Sequence, residues 1–154
     1  MSPSDPLMIL RNEVLLITLI TWGVAQLMKP FTHYAIQRKW DWSQLIRTGG
    51  MPSSHTTLVV SASLACGLVV GFASPLFAVS VAFAMVVMAD AAGVRREAGF
   101  HAQALNTIIK ELMEGRPLAA ETQMREVLGH TPLEVLGGIL WATASTLLLW
   151  YYWP

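Results

Sequence analysis

The chain has 154 residues, of which 54% are hydrophobic and 13% are charged, and its formal net charge is zero. Since soluble domains carry about 25% charged residues, this composition argues for a membrane protein and against an ordinary soluble one. Without net positive charge there is no case for a nucleic-acid partner. The length fits one domain, so we expect a single membrane-embedded domain over residues 1–154.

The first predicted element after a polar tail is a membrane-spanning helix from about Asn12 to Ala35, because a span needs about 20 residues. Pro30 would kink this helix near the membrane interface. Trp40 and Trp42 follow, and tryptophans near the end of a span are typical interface anchors.

Three more apolar runs predict further spans, and one stretch between them predicts an amphipathic helix. The predicted spans cover Thr56–Ala73, Leu76–Ala89 and Pro132–Tyr152. The amphipathic helix covers Glu97–Glu114, and we expect it to lie at the membrane surface. A loop with a short helix is expected over Arg116–Glu126. The predicted fold is therefore an all-α, integral membrane bundle of about four transmembrane helices plus an amphipathic surface helix.

This multi-pass arrangement places nine of the ten Lys and Arg residues, and all four His residues, on one side of the membrane. The positive-inside rule makes that side cytoplasmic. Basic residues that bind phosphate would weaken this inference, because they would be retained for chemistry and not for topology.

The stretch from Gly49 to His55, GGMPSSH, predicts an anion site. Pro52 cannot lie inside a helix, so a new helix should begin just after it. Ser53 and Ser54 are good N-cap residues, and the free N–H groups of a first helical turn attract anions. His55 adds a side chain that exchanges protons near neutral pH. This combination suits phosphoryl transfer.

Ionisable side chains also lie at the ends of the other predicted spans, and such groups near a membrane indicate a functional site. His130 and Glu134 are four residues apart, so a helix start would place them on one face, where the carboxylate can orient the imidazole. A surface histidine beside a helix cap is the simpler alternative for His130. The remaining candidates are Lys29, Arg38, Asp90, Arg95, Arg96 and His101. For Arg95 and Arg96, anchoring to anionic headgroups is an alternative to phosphate binding.

The chain resembles the divergent branch of the superfamily of type 2 phosphatidic acid phosphatases and vanadium haloperoxidases. The resemblance is carried by Lys29, Arg38, Gly49–His55, Asp90–Arg96 and His130–Glu134. That superfamily has three sequence motifs, which are Lys-x6-Arg-Pro, Pro-Ser-Gly-His and Ser-Arg-x5-His-x3-Asp. The second motif matches at Pro52–His55 except that Ser54 replaces Gly. The first is looser, because eight residues separate Lys29 from Arg38.

The third motif fits this chain in two ways. Arg95-x5-His101 keeps the arginine spacing, but Leu105 stands where the acid should be. His130-x3-Glu134 keeps the acid, and we favour it because a nucleophilic imidazole needs an orienting carboxylate. His101 stays the alternative nucleophile.

The resemblance implies a helical fold and hydrolysis of a phosphate ester or anhydride through a phosphohistidine, with no metal and no cofactor. His130, oriented by Glu134, would attack phosphorus, and His55 would act as acid and base. Asp90 would hold the arginines. The expected phosphate ligands are Lys29, Arg38, Ser53, Ser54, Arg95 and Arg96.

Because the protein is expected to lie in the membrane, the expected substrate is a lipid phosphate. Membrane lipids are the other expected partners. A non-catalytic protein that binds anionic lipid headgroups or a partner is the alternative function, and a vanadate-dependent oxidase is a weaker one. The sequence leaves assembly into homo-oligomers open.

Overall fold

A computed structural model describes residues 6–46, 49–112 and 129–153, apart from the side chains of Arg95 and Glu111. Throughout these ranges the chain forms helices and connections, and no β-strand occurs in them. The prediction of an all-α fold is confirmed. The predicted loop and short helix over Arg116–Glu126 lie outside the described residues.

The first helix, α1, covers Glu13–Gln37 and follows a 3₁₀ turn over Pro6–Arg11. Asn12 caps its start, with its side chain accepting a hydrogen bond from the N–H of Leu15 (3.0 Å). The helix continues through Pro30 and ends where Arg38 adopts a left-handed conformation with φ of 56°. Its bounds extend two residues beyond the predicted end.

Two helices separated by a short turn come next. Helix α2 covers Ser54–Val70 and is capped by Ser53, and helix α3 covers Pro75–Ala89 and is capped by Ser74. In each case a serine side chain accepts a hydrogen bond from an N–H in the first helical turn. The short cap residues explain why α2 begins two residues earlier than the apolar run predicts.

A π-helical turn over Asp90–Val94 joins α3 directly to α4, which covers Arg95–Leu112. The predicted amphipathic helix corresponds to α4, and the last two residues of the prediction lie outside the described residues. The fifth helix, α5, covers Pro132–Tyr152, as predicted, and Thr131 caps it.

Helix α2 is the centre of the bundle, because it packs against α1, α3 and α5. Its buried face carries small and hydroxyl-bearing side chains, which allow close approach between helices in a lipid environment. Ser61 Oγ and Thr146 Oγ1 share a hydrogen bond (2.7 Å) between α2 and α5, and Ser63 Oγ donates to the carbonyl of Ser80 in α3 (2.9 Å). Ile17 and Val59 are buried, but many other large apolar side chains are exposed on the outer faces of the bundle.

Three helical stretches are long and apolar enough to cross a membrane: Glu13–Gln37, the continuous stretch Pro75–Lys110 and Pro132–Tyr152. Helix α2 is apolar but has only 17 residues. The prediction of a helical membrane bundle is thus confirmed. Of the four predicted spans, the first and the last are long enough by themselves. Helix α3 has 15 residues and reaches that length only together with the π-helical turn and α4, and α2 is the short central helix.

Candidate active site

The start of α2 holds a buried lysine from α1. Lys29 is only 1% exposed, and its Nζ donates a hydrogen bond to Ser54 Oγ (2.7 Å). Ser53 is also fully buried, at the N-cap of the same helix. A buried ammonium group at a helix N-terminus combines two sources of positive potential, which favours an anion in the space beside them.

Two imidazoles meet next to this lysine. His55 Nδ1 lies 3.3 Å from His130 Nε2, although the residues are 75 positions apart. His130 is 2% exposed, whereas His55 is half-buried. The sequence hypothesis required these two side chains to lie close together, and the distance between the two nitrogens meets that requirement.

Glu134 completes a chain of three polar side chains. Its Oε2 lies 3.0 Å from His130 Nδ1 and is the acceptor of that hydrogen bond. With the proton on Nδ1, His130 Nε2 carries a lone pair and accepts from His55 Nδ1–H. The lone pair of a carboxylate-oriented imidazole is thus directed at the second imidazole, which is the arrangement a nucleophile and its acid partner need.

A main-chain hydrogen bond also holds His130 in place. Its N–H donates to the carbonyl of Ala91 in the π-helical turn (3.0 Å). Thr131 and Glu134 form a capping box, in which each side chain accepts from the other's N–H. Glu134 therefore orients the imidazole and caps α5 at the same time.

Helices α2 and α5 touch directly behind the site. The N–H of Ser53 donates to the carbonyl of Glu134 (3.0 Å). A Cβ placed on Gly138 would lie 2.8 Å from the carbonyl oxygen of Ser53 and 2.9 Å from Cβ of Thr56. Only glycine permits this approach, so Gly138 sets the distance between the cap of α2 and the carboxylate-bearing turn of α5.

A cleft of about 260 Å³ borders Lys29 and Glu134. Residues of α1, residues of the connection before α2 and residues at the start of α5 line it, including Thr32, His33, Gln37, Gln44, Met51 and Leu133. Thr32 Oγ1 also donates to the carbonyl of Met51, which ties α1 to the connection before α2. The cleft borders Glu134 but neither of the two imidazoles. The residue that orients His130 is therefore accessible from the cleft.

A family model described as the divergent PAP2 family matches residues 10–144. The chain belongs to the divergent PAP2 family. The "Uncharacterized membrane protein YuiD" of Bacillus subtilis (strain 168) is similar to it, with 40% identity over 154 residues, which cover 94% of this chain and 98% of that protein. No solved structure matches the chain. The suspected relationship to phosphatidic acid phosphatases of type 2 is thus confirmed at the level of the family.

The structure brings six of the predicted site residues together: Lys29, Ser53, Ser54, His55, His130 and Glu134. Asp90 is half-buried and begins the π-helical turn whose Ala91 holds His130. That turn brings the end of α3 to the same site.

Three other candidates do not touch this group. Arg38 is exposed at the end of α1, nine residues after Lys29, which corresponds to about 13 Å along a helix axis. His101 is exposed on α4. Arg96 places its guanidinium over the ring of Phe100, 5.5 Å from the centroid. The side chain of Arg95 is not among those described.

Sequence reasoning missed three supports of the site: the Thr131 cap, the Ala91 carbonyl and Gly138. The spacing Thr131-x-x-Glu134 is a capping-box pattern and could have revealed the first. Adjacent glycines at 137 and 138 in an apolar helix could have indicated the close helix contact. The Ala91 carbonyl has no sequence signal, because a main-chain contact depends on the π-helical turn.

The described residues contain no group of three or more His, Cys, Asp or Glu side chains that could hold a metal ion. The positive groups at the site are Lys29 and the donors at the start of α2. The arrangement can bind an oxyanion and transfer protons through two imidazoles.

Proposed function

We propose that this member of the divergent PAP2 family is an integral membrane phosphatase that hydrolyses a lipid phosphomonoester or diphosphate through a phosphohistidine. The observation that carries the proposal is the chain from Glu134 through His130 to His55, with nitrogen–oxygen and nitrogen–nitrogen distances of 3.0 and 3.3 Å. Such an arrangement supplies an oriented nucleophile and an acid side by side.

In the first step, His130 Nε2 attacks phosphorus and forms a P–N bond while the P–O bond to the leaving group breaks. Glu134 stabilises the positive charge that develops on the imidazole by accepting the Nδ1 proton in a hydrogen bond. His55 begins this step as the imidazolium, gives one proton to the leaving oxygen and becomes the neutral imidazole. The phosphoryl group has to enter between the two imidazoles, so substrate binding replaces their mutual hydrogen bond.

In the second step, His55 takes a proton from water, and the resulting hydroxide attacks phosphorus. The P–N bond breaks, His130 regains its lone pair, and inorganic phosphate leaves. Lys29 and the N–H groups at the start of α2 neutralise charge that develops on the phosphoryl oxygens in both steps. Arg95 and Arg96 are proposed to add to this neutralisation, and Asp90 is proposed to hold them.

The substrate would reach the site laterally within the bilayer, because three helices of the bundle are long enough to span it. We place the site on the cytoplasmic face by the positive-inside rule. That face favours a glycerophospholipid precursor such as phosphatidylglycerophosphate or phosphatidic acid. A site on the outer face would favour a polyprenyl diphosphate.

The test is phosphate release by the detergent-solubilised protein from a panel of lipid phosphates. Loss of His130 or His55 should lower the rate by at least about 100-fold, since each performs a bond-making or proton-transfer step. His101→Ala is the matched control, because it removes an exposed imidazole on α4.

Full activity in both His55→Ala and His130→Ala would contradict the mechanism. Loss of activity in His101→Ala alone would move the nucleophile to α4. Binding of anionic lipids without turnover of any phosphate would instead support the non-catalytic alternative.

A further inference from the structure

Four aromatic rings cluster around the end of α1. Trp40 stacks on Tyr34 with centroids 4.5 Å apart and also on Trp42 at 5.7 Å. Phe31 meets Trp40 and Trp42 edge to face, at 5.7 and 6.4 Å. The left-handed conformation of Arg38 reverses the chain, so the two tryptophans fold back onto the last turns of the helix.

The rings do not form part of the bundle core. Phe31, Trp40 and Trp42 remain 56%, 51% and 61% exposed although they contact one another. The cluster is therefore ordered by its own stacking and presents a broad apolar surface outward. Large exposed aromatic patches indicate an interaction surface, and Trp and Tyr at the end of a span are typical of the membrane–water interface.

Two cations accompany the rings. Arg38 and Lys39 lie between Tyr34 and Trp40 in the chain, and both are exposed. Within the described part of the chain, neither side chain makes a hydrogen bond or an ion pair with another residue. The neighbouring acid, Asp41, is engaged in capping the next turn, where its carboxylate accepts from Ser43 and Gln44.

The cations are also separated from the phosphate site. Arg38 lies about 13 Å beyond Lys29 along the axis of α1, and Lys29 is buried while Arg38 is exposed. A family motif would pair these two residues on one phosphate, but the structure gives them different surroundings. Arg38, like Phe31, Trp40 and Trp42, is exposed near the end of α1.

We propose that Phe31, Tyr34, Arg38, Lys39, Trp40 and Trp42 form an aromatic–cationic surface that binds anionic lipid headgroups at the membrane interface. The rings rest in the headgroup region and the two cations pair with lipid phosphates. The same turns of α1 carry His33 and Gln37 on the wall of the cleft. Lipid binding at this surface therefore holds the cleft at headgroup depth.

The test is a titration of the full-length protein in neutral detergent with short-chain phosphatidylglycerol or short-chain phosphatidylcholine. The double variant Arg38→Gln, Lys39→Gln should lose its preference for phosphatidylglycerol by about 30-fold, since each surface cation contributes about one kcal/mol to anionic lipid binding. Arg11→Gln with Lys110→Gln is the matched control, because both are exposed cations away from the rings. The control should keep the preference.

A second variant separates the two parts of the surface. Trp40→Ala with Trp42→Ala should weaken binding of both lipids to a similar extent, because it removes apolar contact and leaves the charge. Unchanged preference for phosphatidylglycerol in the cation variant would overturn the proposal.

Release of phosphate from a soluble ester separates this proposal from the proposed function. If the cation variant loses that reaction while the control keeps it, Arg38 belongs to the phosphate site and the proposal is wrong. If the unmodified protein releases no phosphate, the phosphatase proposal fails. The lipid titration still decides whether the aromatic–cationic surface binds anionic lipids.

Discussion

The two ends of the helical bundle are built from different kinds of residue. At one end, α2 and α5 begin and α1 ends, and this end gathers Lys29, His55, His130 and Glu134 into contact. At the other end, Phe72 and Phe77 pack edge to face at 5.2 Å beside the turn between α2 and α3.

Both ends have a serine helix cap and a close contact at a glycine, so the local structural features are alike. Gly67 approaches the rings of Phe72 and Phe77, whereas Gly138 approaches the main chain of Ser53. The difference lies in what the contacts position: an apolar turn at one end and the proposed oxyanion site at the other. Equal losses of packing should therefore have unequal effects on activity.

The largest effect is expected from Glu134→Gln. An amide keeps the shape but cannot stabilise a positively charged imidazole, so phosphate release should fall by about 10²- to 10⁴-fold, as for the orienting carboxylate of serine hydrolases. Glu13→Gln, at the opposite end, should leave the rate unchanged. Equal rates for Glu134→Gln and the unmodified protein would show that the contact with His130 has no catalytic role.

Lys29→Met should have the next largest effect. The substitution keeps a straight apolar side chain in a buried position but removes the positive charge beside Ser54. Removing one preorganised charge from a transition state typically costs about 10²- to 10³-fold in rate. The comparison is with Lys110→Met, which alters an exposed lysine of α4. A normal rate in Lys29→Met, measured as phosphate release, would exclude Lys29 from the proposed oxyanion site.

Gly138→Ala and Gly67→Ala test the contrast between the ends directly. Each adds one methyl group against close neighbours, so each should destabilise the fold by about 1–3 kcal/mol. Thermal unfolding should detect both losses of stability. Phosphate release per folded molecule should fall only in Gly138→Ala, because the added methyl group there would push the start of α2 away from the Glu134 turn.

Gly137→Ala is the matched control, since its Cβ would meet mainly the flexible end of Met51. Loss of specific activity in Gly67→Ala as well would show that the two ends are not independent.

The smallest effect is expected midway between the ends, at Ser61 and Thr146. Their hydroxyls share a buried hydrogen bond of 2.7 Å between α2 and α5. Hydrogen bonds between helices in a membrane average about 0.6 kcal/mol in double-mutant cycles. Ser61→Ala and Thr146→Val should show a coupling of that size in unfolding experiments, with no change in activity. A coupling above about 2 kcal/mol would mean that this pair, and not the site end, sets the packing of α2 against α5.

The sequence alone predicted most of the fold. Long apolar runs, serine caps and proline positions are local signals, and they predicted α3 and α5 almost to the residue. Helix α1 was also predicted, although it continues through Pro30 and ends two residues later than expected. The GGMPSSH stretch and the His130–Glu134 spacing indicated the residue types of a phosphate site, because a helix start and a four-residue spacing are local geometry as well.

Tertiary structure decided which of these residues meet. The contact between His55 and His130 joins positions 75 residues apart, and it depends on the parallel packing of α2 and α5 at Gly138. The π-helical turn presents the Ala91 carbonyl to His130, and the exposed end of α1 separates Arg38 from Lys29. Local chain preferences set where helices begin and end, but a pocket depends on how their faces pack, and that is determined by contacts between distant parts of the chain.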